Sequence, residues 1–354
     1  MVIIDTLGKI EKTYISKKLG LYIANLPDGG DNNWNNWQEG MRETLSIAYQ
    51  IRKIEASQYI GKFGSYSKNI FQDRVLEAAK KVLGISDEPE EVLIEKYIDY
   101  LSKNMMCIDF DYPNSSIPDG EDSFSCFDGG TCEEDPAEKV LNFLDFCCEE
   151  IGSRANIPYC IYSTSPRFDH EYMHLFSGTT DYNNQIDQLM KIGNLLDNYL
   201  LEEKDFYQLD YLCNALFDIH AEKSNTYHYM KVYSLCSLFL EKDWEGELDY
   251  KLPCLMDLSK HLSERKDMAE LMRKIRNKIA HGDFKRLNPL VEEYAKKYMD
   301  GKFWFDYSEY TRPSWILLHI SFRLEEIVKK LIYLMLTDRE RLDRIKKLKK
   351  DEDI

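Results

Sequence analysis

The chain has 354 residues, of which 44% are hydrophobic and 13% aromatic, and its formal net charge at pH 7 is −16. This apolar content is enough for two cores of ordinary size, which excludes a wholly disordered chain. No apolar run near the start is long enough for a secretory signal, and the run at 315–322 is far shorter than a membrane span. We therefore expect a globular, cytoplasmic protein that does not contact a membrane.

The charge is distributed unevenly along the chain. Residues 107–150 carry thirteen acids and a single lysine, whereas residues 260–286 carry nine basic residues and four acids. A local basic region can attract a polyanion even on an acidic protein, because charge interactions are screened within about 10 Å at moderate salt. Nucleic acid therefore stays open as a partner.

Nine cysteines are spread along the chain with no CxxC pair among them. This pattern favours reduced thiols over a disulfide framework. Cys213 and Cys236 fall on apolar helical stripes, where cysteine acts as a small hydrophobic residue.

The first half of the chain mixes helical and β-like patterns. Helices are predicted over 42–58, 70–83, 91–102 and 137–151, and short strands over 19–26 and 158–164. We expect residues 1–180 to form an α-rich regulatory or sensor domain with a few short strands.

From residue 181 onward the pattern is uniformly helical, with apolar residues recurring every three or four positions. The stripes are Ile186, Leu189, Met190, Gly193, Leu196 and Leu200; Phe206, Leu209, Cys213 and Leu216; Tyr229, Val232, Tyr233, Cys236 and Leu240; and Leu317, Ile320, Leu324, Ile327, Leu331 and Leu334. Asn288 and Pro289 are typical of a helix start. Such helices predict an antiparallel bundle over 181–340, followed by a charged tail over 341–354.

The stretch RKIRNKIAHGDF, residues 273–284, ends one of these helices. Met268, Leu271, Met272, Ile275 and Ile279 form its apolar stripe. Gly282 suits the position just past a helix end, where a left-handed backbone is required. Basic residues in the last turns also favour the negative end of the helix dipole, so helix termination alone explains much of the stretch.

The polar side of this helix indicates something more. At about 100° per residue, with Arg276 at 0°, Ala280 lies near 40°, Arg273 near 60°, Asn277 near 100° and His281 near 140°. The apolar stripe is centred on the opposite side. A face of hydrogen-bond donors with no carboxylate on it suits a phosphate group.

The segment Arg276–His281, RNKIAH, resembles the R-x4-H motif of HEPN domains, most closely those of bacterial abortive-infection and antiphage proteins. The resemblance covers residues 181–337. It implies a metal-independent endoribonuclease without a cofactor, active as a homodimer in defence or as a toxin, with a regulatory or antitoxin protein as a further partner. Arg276 would hold the scissile phosphate and His281 would transfer protons. Asn277 would orient the side chain of Arg276 or of His281. The RNA-binding residues would be Arg273, Lys278, Lys285 and Arg286.

Two alternatives remain open. Some members of such families keep the bundle only for assembly, so a non-catalytic interaction module fits the same resemblance. A zinc hydrolase is the other, since His170, Glu171 and His174 form an H-E-x-x-H pattern in which two histidines bind zinc and the glutamate acts as base. Pro166 and Gly178 limit that helix to about three turns, and Asp197 is a possible third ligand.

Overall fold

The computed structural model describes residues 2–28, 37–63, 70–111, 136–148, 159–161, 183–240, 247–299 and 311–349. These residues divide into two compact units, Met1–Asp197 and Asn198–Ile354. The division predicted near residue 180 falls before the helix Asn183–Tyr199, most of which belongs to the first unit. The fold is mainly helical with one small antiparallel sheet, which confirms the predicted fold class. Within the described ranges, no helix is both long and apolar enough to span a membrane.

The first unit contains a five-stranded sheet in the order β2-β3-β4-β1-β5. The strands are β1 (Val2–Leu7), β2 (Thr13–Ser16), β3 (Leu21–Asn25), β4 (Met105–Phe110) and β5 (Tyr159–Ile161). All neighbouring strands pair antiparallel. Val2, Ile3 and Ile4 follow one another and all are fully buried, so both faces of β1 are covered.

Among the residues that the structure describes, five helices accompany this sheet: α1 (Trp37–Phe63), α2 (Ile70–Leu83), α3 (Glu90–Asn104), α4 (Pro136–Cys147) and α5 (Asn183–Tyr199). The first three build a core on one face of the sheet, where Leu45 and Tyr97 join Ile3 and Cys107. The predicted range of α2 matches the observed helix at both ends. The ranges predicted for α1 and α3 lie inside the observed helices, which extend beyond them at both ends.

In the second unit every described element is helical: α6 (Glu203–Ala221), α7 (Asn225–Leu240), α8 (Leu248–Lys251), α9 (Leu262–Ala280), α10 (Phe284–Tyr298), α11 (Arg312–Thr337) and α12 (Arg339–Lys347), with a short 3-10 turn at Leu252–Cys254. The predicted stripe of α7 is buried throughout, and most of the α11 stripe is buried as well. Phe206 is an exception, because the apolar face of α6 begins at Leu209 and leaves Phe206 40% exposed.

Two predictions about helix ends were wrong. Helix α10 begins at Phe284, not at Asn288, because the carbonyl of Asp283 already accepts from the N–H groups of Arg286 and Leu287. Pro289 therefore lies inside the helix. The predicted end of the bundle at residue 340 falls inside helix α12, so residues 341–347 of the predicted charged tail are helical, with Leu342 and Ile345 buried along one side.

Candidate active site at the end of helix α9

Helix α9 ends in a hydrogen-bonded turn that fixes the backbone around His281. The N–H of Gly282 donates to the carbonyl of Ile279 at 3.0 Å, and the N–H of Asp283 donates to the carbonyl of Lys278 at 2.9 Å. These two bonds form a Schellman motif, in which the residue after the cap is left-handed. Gly282 has φ 67° and meets that need. The exposed side chain of His281 is thus presented on an ordered helix end.

Arg276 is half-buried and has two neighbours that restrict its guanidinium. Its Nη1 donates to Oδ1 of Asn277 at 3.0 Å. The guanidinium carbon also lies 5.9 Å from the centre of the buried Tyr233 ring, within the range of a cation–π contact. The structure therefore brings together Arg276 and Asn277, as the sequence predicted, and adds Tyr233 to them.

Tyr229 connects this part of α9 to α7. Its hydroxyl donates to the carbonyl of Met272 at 2.6 Å, and the whole side chain is buried. Burial raises the pKa of Tyr229 well above its ordinary value, while the charge of Arg276 opposes that rise. The phenol consequently stays protonated, and it donates its hydrogen bond to the carbonyl of Met272, one turn of α9 before Arg276.

The prediction that no carboxylate faces these cations was wrong for Arg273. The Nε of Arg273 lies 2.9 Å from both carboxylate oxygens of Asp249 in α8. Asp249 comes from another helix, so a reading of the α9 sequence alone cannot reveal it. Burial raises the pKa of Asp249, and the bond from Arg273 opposes that rise. Arg273 therefore has a structural ion pair in place of a free guanidinium.

Asp283 neutralises part of the remaining basic charge. Its Oδ2 lies 3.1 Å from Nζ of Lys278 and 3.7 Å from Nη1 of Arg286, and the hydrogen bond from Lys278 is the main reason that the pKa of Asp283 is lowered. Lys278 is half-buried, whereas Arg286 and Lys285 are exposed. Of the four cations predicted to bind RNA, Lys285 and Arg286 are thus the most accessible to a ligand.

Asp197, the possible third ligand of the alternative zinc site, accepts three hydrogen bonds from residues around the end of β2. Oδ1 of Asp197 accepts from the hydroxyl of Ser16 at 2.5 Å and from the N–H of Lys18 at 3.2 Å, and Oδ2 accepts from the N–H of Lys17 at 2.9 Å. The carboxylate therefore anchors α5 to the turn after β2. The H-E-x-x-H residues themselves, His170, Glu171 and His174, lie outside the described residues.

Comparisons of the chain with family models, with curated proteins and with solved structures find no match in any of the three. Arguments about function accordingly depend on the residues of this chain and their geometry.

Sequence reasoning missed Tyr233 and Asp249 as parts of the site. Tyr229 and Tyr233 were assigned only to the apolar stripe of α7, although buried tyrosines usually find a partner for their polar tip or ring face. That rule offered a signal for Tyr233. No comparable signal marked Asp249, because helix α8 has only four residues and no periodic pattern.

Proposed function

We propose that this protein is a metal-independent endoribonuclease of the HEPN type, in which Arg276 and His281 act on one phosphodiester linkage. The observation that carries the proposal is the restrained guanidinium of Arg276, five residues before an exposed histidine on an ordered helix end. A restrained cation stabilises charge that grows on phosphorus without paying for reorganisation during the reaction.

The chemistry needs a phosphate clamp and a proton carrier. In the proposed step, the ribose 2′-oxygen attacks phosphorus and forms a new P–O bond, while the bond from phosphorus to the 5′-oxygen of the next nucleotide breaks. The 2′-hydroxyl proton goes to a base, and a proton is delivered to the leaving 5′-oxygen. Histidine is the side chain whose ordinary pKa suits both transfers near neutral pH. Asn277 and Tyr233 keep the guanidinium of Arg276 oriented toward the phosphate.

Two proton transfers on opposite sides of one phosphate are most simply performed by two imidazoles. We therefore propose a homodimer in which a second copy contributes its own His281 to a composite cleft. The exposed Lys285 and Arg286 would contact the RNA backbone beyond the scissile linkage, which would make binding weaken as salt rises. A cytoplasmic role in antiphage defence or as a toxin, restrained by a regulatory protein, completes the proposal.

The test is RNA breakdown by the purified protein in excess EDTA. We expect wild type to cleave, and we expect Arg276→Ala and His281→Ala each to lower the rate by at least about a hundredfold. Lys274→Ala is the matched control, because Lys274 is exposed on the same helix and forms a surface ion pair with Glu270. Its rate should stay within about twofold of wild type.

The same assay separates the alternatives. An interaction module without catalysis predicts that wild type does not cleave RNA, and that His281→Ala leaves toxicity or phage protection intact. If the protein is a zinc hydrolase, EDTA should abolish its hydrolytic activity, and Glu171→Gln should do the same. Arg276→Ala should then remain active.

A further inference from the structure

Helices α10 and α11 carry a second group of polar side chains that the proposed cleavage step does not use. Three buried polar atoms there have no hydrogen-bond partner among the described residues: the hydroxyl oxygen of Tyr294, Nδ1 of His319 and Nε of Arg323. Buried polar groups are nearly always paired in native proteins, so three such atoms in one region require an explanation. A bound ion or water is the usual one.

The three side chains lie close enough to influence one another. Burial is the main reason that the pKa of His319 is lowered, and the charge of Arg323 lowers it further. Burial raises the pKa of Tyr294, and the charge of Arg323 opposes that rise, with Glu326 acting in the other direction. Arg323 is therefore close enough for its charge to act on both His319, one turn earlier on α11, and Tyr294 on α10.

The donors of this cluster match an oxyanion. A guanidinium carries only donors, a protonated phenol donates, and a neutral imidazole can donate through one nitrogen. Tyr294 is fully buried, whereas His319 and Arg323 are half-buried, so part of each of the latter two side chains is exposed to solvent. The nearest acids along the helix are Glu325, whose carboxylate bonds His228, and Glu326, which is exposed.

Two aromatic side chains flank the cluster on the same face of α11. At about 100° per residue, Trp315 and Phe322 both lie within about 60° of His319. Trp315 is 44% exposed and Phe322 is 47% exposed, so each presents part of its ring to solvent. Exposed aromatic rings beside cations are the arrangement on which nucleobases stack while their phosphates are neutralised.

We propose that Tyr294, His319 and Arg323 bind the phosphate of a nucleotide whose base stacks on Trp315 or Phe322. The phosphate would come from a free mononucleotide or from the backbone of a single-stranded RNA. None of these three residues takes part in the proposed cleavage step, and the inference does not depend on RNA cleavage, so it is tested by binding.

Binding is measured by calorimetry with AMP, with inorganic phosphate and with a short non-cleavable oligonucleotide of 2′-deoxy residues. Wild type should bind AMP or the oligonucleotide saturably with one site per chain, and Arg323→Gln should weaken that binding by at least about tenfold. Arg341→Gln, an exposed arginine in helix α12, is the control and should bind like wild type. Binding of AMP indicates a site for free nucleotides, and binding of the oligonucleotide alone indicates the RNA backbone.

Two further variants keep the proposal falsifiable if Arg323→Gln fails to fold. Of Trp315→Ala and Phe322→Ala, at least one should weaken the binding of AMP or the oligonucleotide but leave any binding of inorganic phosphate unchanged, because only the stacking surface is removed. His281→Ala should bind as wild type does, even if it no longer cleaves RNA. The proposal is overturned if wild type binds neither AMP nor the oligonucleotide, if Arg323→Gln folds and binds as tightly as wild type, or if Trp315→Ala and Phe322→Ala both bind as tightly as wild type.

Discussion

Gly193 offers a prediction in which two effects of opposite sign compete. It lies in the interior of helix α5, where replacing glycine by alanine ordinarily stabilises a helix by about 1 kcal/mol. In this fold, however, a Cβ at position 193 would stand 1.9 Å from the backbone oxygen of Ile15 in β2. Real Cβ atoms essentially never approach another heavy atom within 3.0 Å, so the helix would have to retreat by about 1 Å.

That retreat would also disturb the bonds of Asp197, one turn further along α5. Its carboxylate accepts from Ser16, Lys17 and Lys18 at 2.5–3.2 Å, and hydrogen bonds to a charged group contribute about 1.5–3 kcal/mol each. Partial loss of these bonds, together with about 1–3 kcal/mol for overpacking, outweighs the gain in helix propensity. We expect Gly193→Ala to destabilise the first unit by about 2–4 kcal/mol.

The assay is unfolding in urea, monitored by hydrogen exchange of the backbone amides of β2 and β3. These amides report on the stability of the first unit. Asn194→Ala is the control, because Asn194 is exposed on the same helix and should gain at most about 0.5 kcal/mol from propensity. If Gly193→Ala proved as stable as wild type or more stable, the close approach of α5 to β2 would be refuted.

Three further outcomes follow from contacts in the second unit. Arg273→Ala should lower the free energy of unfolding by about 1–2 kcal/mol, because it leaves the half-buried Asp249 without its cation, yet RNA cleavage should persist; a large loss of cleavage without loss of stability would contradict this. Tyr229→Phe should cost about 1 kcal/mol in thermal unfolding and spare the cleavage rate at low temperature. Burial lowers the pKa of His319 in the folded protein, so the unfolded chain binds more protons below about pH 6.5. In urea unfolding measured across this pH range, wild type should therefore lose stability relative to His319→Gln as the pH falls.

The helical part of the fold could be predicted because each helix carries its own periodic stripe. Helix α7 shows this best: all five residues predicted to be buried are buried. The sheet was harder, since β1 and β4 are short, almost continuously apolar segments with no alternation. Such strands resemble buried helix segments until their partners are known, and β4 pairs with β1 across about a hundred residues of sequence.

The candidate site was predictable in part for a similar reason. Arg276, Asn277 and His281 lie on one helix, so their spacing alone indicates how they are arranged. The contacts that decide their electrostatics come from elsewhere in the chain. Tyr233 approaches from α7, and Asp249 approaches from α8 and neutralises Arg273.

The most direct test of the central proposal is the chemistry of the ends left on cleaved RNA in the presence of EDTA. Attack by the 2′-oxygen predicts 2′,3′-cyclic phosphate and 5′-hydroxyl ends from wild type, no cleavage at a linkage whose 2′-hydroxyl is replaced by hydrogen, and little product from Arg276→Ala or His281→Ala. Ends with 3′-hydroxyl and 5′-phosphate groups, formed only with a divalent metal and unchanged in both variants, would contradict it.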